Sequence, residues 1–178
     1  VPMETVFKGN DNITRYKKSV YYAVKVLWEF IEWAKTTDWW SNNLIIMVAD
    51  HCGRVSESQA IFTTELFRIP MLWIGGALNE KNRVINKHGD QTDIPVTLLN
   101  QLGISVDFPF GKDLLSAASN SYSFYTYNEG LGFVTDSSIY VYDHKMKGSV
   151  IKEGSGADFA EKAGKAYLQV LFNDYLKR

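Results

Sequence analysis

Between residues 13 and 36 the apolar side chains recur every three or four positions, which is the period of an α-helix with one apolar face. Asp11 or Asn12 can cap the start of this helix, because either side chain can accept a hydrogen bond from a free backbone amide. The predicted apolar face consists of Tyr16, Val20, Ala23, Val24, Leu27, Ile31 and Ala34.

Two continuous apolar runs, residues 44–49 and 69–74, follow the helix. Short runs without alternation predict strands that are buried on both faces, which is typical of a parallel sheet covered by helices. The first run ends abruptly at Asp50 and His51. Open α/β sheets place their sites at the carboxyl ends of such strands, so these two residues are the first candidates for chemistry.

The second half of the chain has a different pattern. A short helix is predicted over residues 92–102, with Thr92 as its cap and Gly103 at its end. Four short strand-like segments separated by turns then predict an antiparallel meander, and they are residues 122–127, 131–135, 139–143 and 149–152. The last helix, over residues 158–177, has an apolar face that consists of Phe159, Ala163, Ala166, Tyr167, Val170 and Leu171.

These elements predict an α/β core over residues 1–119, a small antiparallel β subdomain over 120–157 and a C-terminal helix over 158–178. Two parallel-type strands are few, because a typical sheet has about five or six. The chain is therefore either a small α+β domain or a part of a larger sheet whose other strands lie upstream.

Composition narrows the class of protein further. The chain has 178 residues and a formal net charge of -1, which argues against nucleic acid as a partner. No apolar run reaches the length of about 20 residues that a membrane helix needs, so we expect this chain by itself to be soluble. Cys52 is the single cysteine, which excludes an intrachain disulfide. The first methionine is the third residue, so we expect a processed chain or a fragment.

Asp50 and His51 carry the sharpest chemical signal. A carboxylate beside an imidazole at the end of a strand can supply two metal ligands. Neighbouring residues on a strand point to opposite faces, so both can reach one ion only if the chain turns at His51, which Gly53 permits. The alternative is structural: Asp50 caps the loop, and His51 is an ordinary polar residue.

Nine ordered blocks of the chain resemble the sulfatase family, and more narrowly the lipoteichoic acid synthase or phosphoglycerol transferase branch of the alkaline phosphatase superfamily. The resemblance implies that the chain is the C-terminal part of an alkaline-phosphatase-like α/β/α sandwich, followed by the β-meander and the last helix. The blocks are residues 20–22, 30–34, 39–46, 49–51, 69–78, 91–104, 110–114, 125–128 and 130–133.

The resemblance implies that Asp50 and His51 ligate a catalytic divalent metal, which would be Mn²⁺, Mg²⁺ or Ca²⁺. The family's nucleophile and a further acidic ligand come from earlier sequence, so we expect an incomplete metal site, no catalytic nucleophile and no turnover in this chain. The segment around Cys52 and Arg54 does not match the family's cysteine motif. The complete protein would be anchored on the extracytoplasmic side of a bacterial membrane and would act on a phosphate or sulfate ester.

Three positions depart from the family pattern. Val24 stands where an aspartate is frequent, Cys52 where a glycine is usual, and Arg68 where a histidine is common. These departures bear on the substrate more than on the fold. We also expect exposed apolar surface where the upstream remainder of the domain docks, and self-association of the chain could cover it.

Several residues are candidates for substrate binding. Arg54 could clamp a sulfate or phosphate or form a surface ion pair, and Arg68 could face an anionic substrate. His88 lies in a polar cluster before the predicted helix at 92, where an anion could bind, although a loop with a cap explains the same pattern. The aromatic residues of the first meander strand could stack on a sugar or a lipid or could simply pack, and they are Tyr122, Phe124, Tyr125 and Tyr127.

Two other candidates have weaker support. Cys52 and His51 could be a nucleophile and a base, but adjacent residues rarely hydrogen-bond usefully and no orienting group is evident. His144 fits a solvated turn. The alternative function for the whole chain is a non-catalytic or degenerate sulfatase-like domain that serves binding or assembly.

Overall fold

The computed structural model describes residues 6–53, 60–80 and 82–178. Its contacts divide the chain into two compact units, Val1–Arg83 and Val84–Arg178. Residues 84–119 therefore belong to the same unit as the meander and the last helix. The division into domains at residues 119 and 157 stays a prediction.

The first unit contains one long helix and a two-stranded sheet. Helix α1 spans Asn12–Ala34. Of the two predicted caps, Asp11 is the one observed, because Thr14 N donates to Asp11 Oδ1 at 2.9 Å. Only Ile31 and Ala34 of this helix are fully buried. A short 3-10 turn at Trp40–Asn42 leads into strand β1, which spans Ile45–Val48.

Strand β2 spans Met71–Ile74, and a 3-10 turn at Thr64–Phe67 precedes it. The two strands pair antiparallel, with Ile45 opposite Ile74 and Val48 opposite Met71. The prediction of a parallel pair was therefore wrong for these two strands. Their residues are half-buried or exposed instead of buried on both faces, so the continuous apolar pattern did not reveal the strand direction.

The second unit contains helix α2 at Asp93–Gln101, a four-stranded sheet and helix α3 at Ala157–Tyr175. The strands are β3 at Tyr122–Tyr127, β4 at Gly130–Thr135, β5 at Ser138–Asp143 and β6 at Gly148–Gly154. They form an antiparallel sheet in the order β3-β4-β5-β6, which confirms the predicted meander.

Helix α3 packs on the meander and closes a small core. The core consists of Leu131, Phe133, Tyr140 and Ala160. Gly164 allows the close approach, because a Cβ at this position would lie 2.9 Å from the Cβ of Phe133. No described helix is both long and apolar enough to cross a membrane.

Two details of the second unit differ from the sequence prediction. Thr92 precedes α2 but does not cap it, because its backbone is helical and its hydroxyl donates to the carbonyl of Phe110 at 3.1 Å. On α3 the buried positions are Ala160 and Gly164, whereas Phe159 is 66% exposed and Val170 is 54% exposed. The buried face of α3 is thus rotated from the one that apolarity alone predicts.

Candidate functional site

Asp50 and His51 follow β1 in an exposed turn. The backbone amide of His51 donates to Asp50 Oδ1 at 2.8 Å, which fixes the carboxylate over the turn. His51 Nε2 lies 3.5 Å from Asp50 Oδ2, and both side chains are more than three-quarters exposed. The chain does turn at His51, so the two side chains face each other and do not point to opposite faces of the strand.

The other ring nitrogen of His51 faces the backbone. His51 Nδ1 lies 3.1 Å from the carbonyl oxygen of Cys52, so a proton on Nδ1 is donated to that oxygen. In this tautomer Nε2 presents a lone pair toward the carboxylate of Asp50. At 3.5 Å these two atoms can share a proton, as an ion pair, or a cation, as two ligands of one ion.

Cys52 and Gly53 hold this turn against the first helix. A Cβ at Gly53 would lie 2.1 Å from the hydroxyl oxygen of Tyr16, so a larger residue at this position would have to displace the Tyr16 ring. The Sγ of Cys52 is 3.5 Å from the carbonyl oxygen of Gly53. Cys52 therefore directs its thiol to its own loop, and the His51 ring contacts the Cys52 carbonyl and not its sulfur.

Arg68 lies at the same end of the sheet as Asp50 and His51. The antiparallel register pairs Val48 with Met71, and Ala49 N donates to the carbonyl of Pro70 at 3.5 Å. Arg68, two residues before Pro70, thus enters β2 where Asp50 leaves β1. A parallel pair would have placed it at the opposite end, so the observed strand direction brings a cation to the candidate site.

Arg54 and His88 are the other two residues that the sequence predicts to bind substrate. Arg54 lies outside the described residues. His88 belongs to the second unit, where its amide donates to Ser121 Oγ at 2.9 Å and its Nε2 lies 3.8 Å from Asp136 Oδ1. Its side chain is 39% exposed there.

A buried charge network near the start of α2 was not anticipated from the sequence. The side chain of Asp93 is fully buried and lies 2.6 Å from Lys112 Nζ, and its other oxygen accepts from Lys112 N at 2.8 Å. Asp90 N donates to the same carboxylate. No pattern in the sequence pointed to this ion pair. The sequence predicts Thr92 as the cap of α2, and an aspartate in the first turn of a helix is common by itself.

Asp90 connects this network to the meander. Its two carboxylate oxygens lie 3.1 Å and 3.2 Å from the amide nitrogen of Phe124, which donates to them. Burial raises the pKa of Asp90 to about 6, although the charge of Lys112 and the Phe124 amide act in the opposite direction.

The spacing of the two side chains at the turn fits the coordination shell of a divalent cation. Ligands of one Mg²⁺ or Ca²⁺ each lie about 2.0–2.6 Å from it, so neighbouring ligand atoms are about 3–4 Å apart. The 3.5 Å between Asp50 Oδ2 and His51 Nε2 fits this requirement. Within the described ranges no group of three or more His, Cys, Asp or Glu side chains is placed to hold a metal ion.

Comparison with known proteins defines the class of this chain. A crystal structure of a protein in the alkaline phosphatase superfamily from Vibrio parahaemolyticus matches 95% of the chain with a TM-score of 0.67 and 22% identity. The chain therefore shares the α/β fold of that protein, as the sequence predicted. The family model named Sulfatase matches residues 2–104, which is more than half of the chain. The chain belongs to the sulfatase family.

A curated relative narrows the resemblance. The lipoteichoic acid synthase-like protein YvgJ of Bacillus subtilis is 30% identical to this chain over an alignment of 124 residues. The alignment covers 61% of this chain. The chain spans about a fifth of the length of that relative and 46% of the solved superfamily structure. Members of the sulfatase family are generally metal-dependent.

Proposed function

We propose that this chain is part of a metal-dependent enzyme that hydrolyses or transfers phosphate or sulfate esters in the manner of a phosphoglycerol transferase. One observation is the main support: Asp50 Oδ2 and His51 Nε2 face each other at 3.5 Å at the end of β1, inside the region that matches the sulfatase family. The likeness to a lipoteichoic acid synthase-like protein supports the phosphoglycerol branch.

Asp50 and His51 would hold a divalent cation, which would be Mn²⁺, Mg²⁺ or Ca²⁺. Asp50 would supply a hard oxygen ligand and neutralise part of the cation's charge, and His51 would supply Nε2 while its Nδ1 hydrogen stays on the Cys52 carbonyl. When bound, such a cation acts as a Lewis acid toward the ester oxygen. The exposure of both side chains leaves room for further ligands from outside this turn.

Cationic residues would bind the ester. Arg68 is the best-supported of them, because the antiparallel register places it at the end of the sheet where Asp50 lies. Its guanidinium could bind two oxygens of a phosphate or a sulfate at once. Arg54 and His88 stay candidates for the same role on the basis of sequence.

No residue of this chain is assigned as the nucleophile. In the family resemblance that residue, together with a further acidic ligand, comes from earlier sequence, so this chain alone would not turn over substrate. The complete protein would act at the extracytoplasmic side of a bacterial membrane to which it is anchored, as the lipoteichoic acid synthase-like relative suggests.

The decisive experiment is an assay of the full-length protein on phosphate and sulfate esters, with and without added Mn²⁺, Mg²⁺ or Ca²⁺. Asp50→Asn and His51→Gln should each lower metal-dependent activity at least about a hundredfold, because each removes a ligand. Asp38→Asn removes an exposed carboxylate from the same unit and should leave activity unchanged. Absence of activity on every ester would favour a non-catalytic domain and would contradict the proposal. Activity that does not depend on added metal would contradict the role proposed for Asp50 and His51.

A further inference from the structure

The second unit contains an open groove that the proposed function does not use. It has a volume of about 610 Å³. Helix α3 forms one wall with the apolar residues that the sequence had predicted to be buried, among them Phe159, Ala163 and Val170. The turn between β4 and β5, residues 135–138, forms the opposite rim. Ala163 also packs against the core, so the rotation of α3 leaves part of its apolar face, with Phe159 and Val170, on the groove.

The floor of the groove is aromatic and held in place. Tyr122 stacks on Phe133 with ring centroids 5.3 Å apart and planes 11° apart, and Phe133 is 4% exposed. The ring centroids of Tyr167 and Phe110 lie 5.5 Å apart. All four rings line the groove, and Phe159 adds a fifth that is 66% exposed. Tyr122 also lies under Lys112 Nζ, and Tyr167 also stacks on Phe124, so these rings form a fixed floor. The exposed ring of Phe159 offers the surface on which a flat ligand can stack.

The rim is rich in hydroxyl groups and carries a single charge. Among the described residues that line the groove, Asp136 is the one charged side chain. Ser121 Oγ donates to Asp136 Oδ1 at 2.6 Å, which orients the carboxylate, and Asp136 is still 69% exposed. The hydroxyls of Thr135 and Ser138 bind each other at 2.7 Å, and Ser137 adds a further hydroxyl at the rim.

This lining disfavours two classes of ligand and fits a third. An anion would meet the carboxylate of Asp136, because the neighbouring His88, whose Nε2 lies 3.8 Å from Asp136 Oδ1, does not itself line the groove. A purely apolar ligand would desolvate the carboxylate and the hydroxyls without replacing their hydrogen bonds. A sugar matches both sides of the groove, because its C–H faces stack on aromatic rings and its adjacent hydroxyls bind a carboxylate and serine hydroxyls.

We propose that the groove between α3 and the β4–β5 turn is a carbohydrate-binding site in which Asp136 and Ser121 bind sugar hydroxyls and Phe159 stacks on the ring. This inference goes beyond the proposed enzymatic function, because it involves neither a metal nor an ester. The two can fail separately, since sugar binding is measured here without any turnover.

The test is titration of the isotopically labelled chain with maltose and with cellobiose, followed by amide NMR. We expect either disaccharide to give saturable shifts at the amides of Ser121, Asp136 and Phe159, at concentrations of about 1–20 mM where weak binding is measurable. Asp136→Asn should weaken the affinity about tenfold or more, because it removes a charge-assisted hydrogen bond. The same spectra report whether each variant is folded.

Two matched variants make the outcome specific. Phe159→Ser should weaken binding at least about tenfold. Phe172→Ser changes a similarly exposed phenylalanine of α3 that does not line the groove, so this variant should bind sugar like the wild type. Absence of saturable shifts with both sugars would overturn the proposal. So would a site that responds to tetramethylammonium or inorganic phosphate and to neither sugar.

Discussion

The carboxylate of Asp93 and the ammonium group of Lys112 lie 2.6 Å apart, with their side chains 0% and 9% exposed. Asp93 also accepts the backbone amides of Asp90 and Lys112, so this one carboxylate joins the start of α2 to two other segments. Lys112 in turn lies 4.0 Å from the centroid of the Tyr122 ring at the beginning of the meander. The pair thus connects α2 to the sheet.

Loss of either partner of this pair should destabilise the second unit. Asp93→Asn leaves the Lys112 charge buried without its counter-ion, so we expect the free energy of unfolding to fall by about 3–5 kcal/mol. Urea denaturation followed by circular dichroism measures this change. Asp174→Asn breaks the exposed pair between Asp174 and Arg178 and should cost less than about 1 kcal/mol. Equal effects of the two variants would contradict the structural role of Asp93.

Asp90 should make stability depend on pH in an unusual direction. Its pKa is raised from the ordinary 3.8 to about 6 in the folded chain. The folded state therefore keeps a proton that the unfolded state has lost, so this group makes unfolding easier as the pH rises from 4 to 6. The effect is at most about 3 kcal/mol, because one pKa unit corresponds to about 1.4 kcal/mol.

The difference between wild type and Asp90→Asn isolates this contribution. An asparagine oxygen can still accept the Phe124 amide but does not titrate, so the wild type should lose stability relative to the variant between pH 4 and pH 6.5. Denaturation midpoints at several pH values measure it. Asp107→Asn, at an exposed position, should show no such trend. A pH-independent difference for Asp90→Asn would mean that this carboxyl titrates normally.

Gly164 should not tolerate even a methyl group. Alanine is the better helix former by about 1 kcal/mol, but its Cβ would lie 2.9 Å from the Cβ of Phe133 and 3.2 Å from Leu131 Cδ1. The Cβ of Phe133 is bonded to the backbone of β4 and cannot move aside as the end of a flexible side chain can. We therefore expect Gly164→Ala to lower the free energy of unfolding by about 1–3 kcal/mol. Thermal unfolding would detect it. Gly148→Ala, where the nearest atom is at 3.8 Å, serves as the control and should change little.

The turn after β1 should bind a divalent cation weakly when this chain is studied by itself. Two ligands leave most of the coordination positions to water, so we expect a Kd for Mn²⁺ weaker than micromolar that is lost in Asp50→Ala. Isothermal titration calorimetry measures both. Cys52→Ala should bind Mn²⁺ like the wild type, since its sulfur faces the Gly53 carbonyl. Micromolar or tighter binding would show that the site in this chain is more complete than we propose.

Sequence patterns located most elements of the second unit because their signals are local. The β3, β4 and β5 strands match the predicted ranges to within one residue, since turn residues such as Asn128 and Asp136 follow the strand ends. Asp11 was likewise recognisable as a cap, because its partner Thr14 is three residues away.

The features that sequence reasoning missed depend on contacts between distant residues. The direction of β2 relative to β1 is set by pairing across more than twenty residues, and the apolar runs are the same for both directions. The role of Asp93 depends on Lys112, which is 19 residues away. The face of α3 that is buried depends on how closely Gly164 lets it approach β4. None of these contacts leaves a periodic trace in the chain.

The hydrogen bond from Phe124 to Asp90 also bears on how this unit avoids aggregation. β3 is an edge strand of the meander, and the outward amide of an edge strand is a place where a strand of another molecule could add to the sheet. The carboxylate of Asp90 accepts the hydrogen bond of the Phe124 amide, so this amide is not available to another strand. The carboxylate also offers no hydrogen-bond donor and repels the carbonyl oxygens of an incoming strand. The same loop that carries His88 thus shields one side of the sheet from unwanted strand addition.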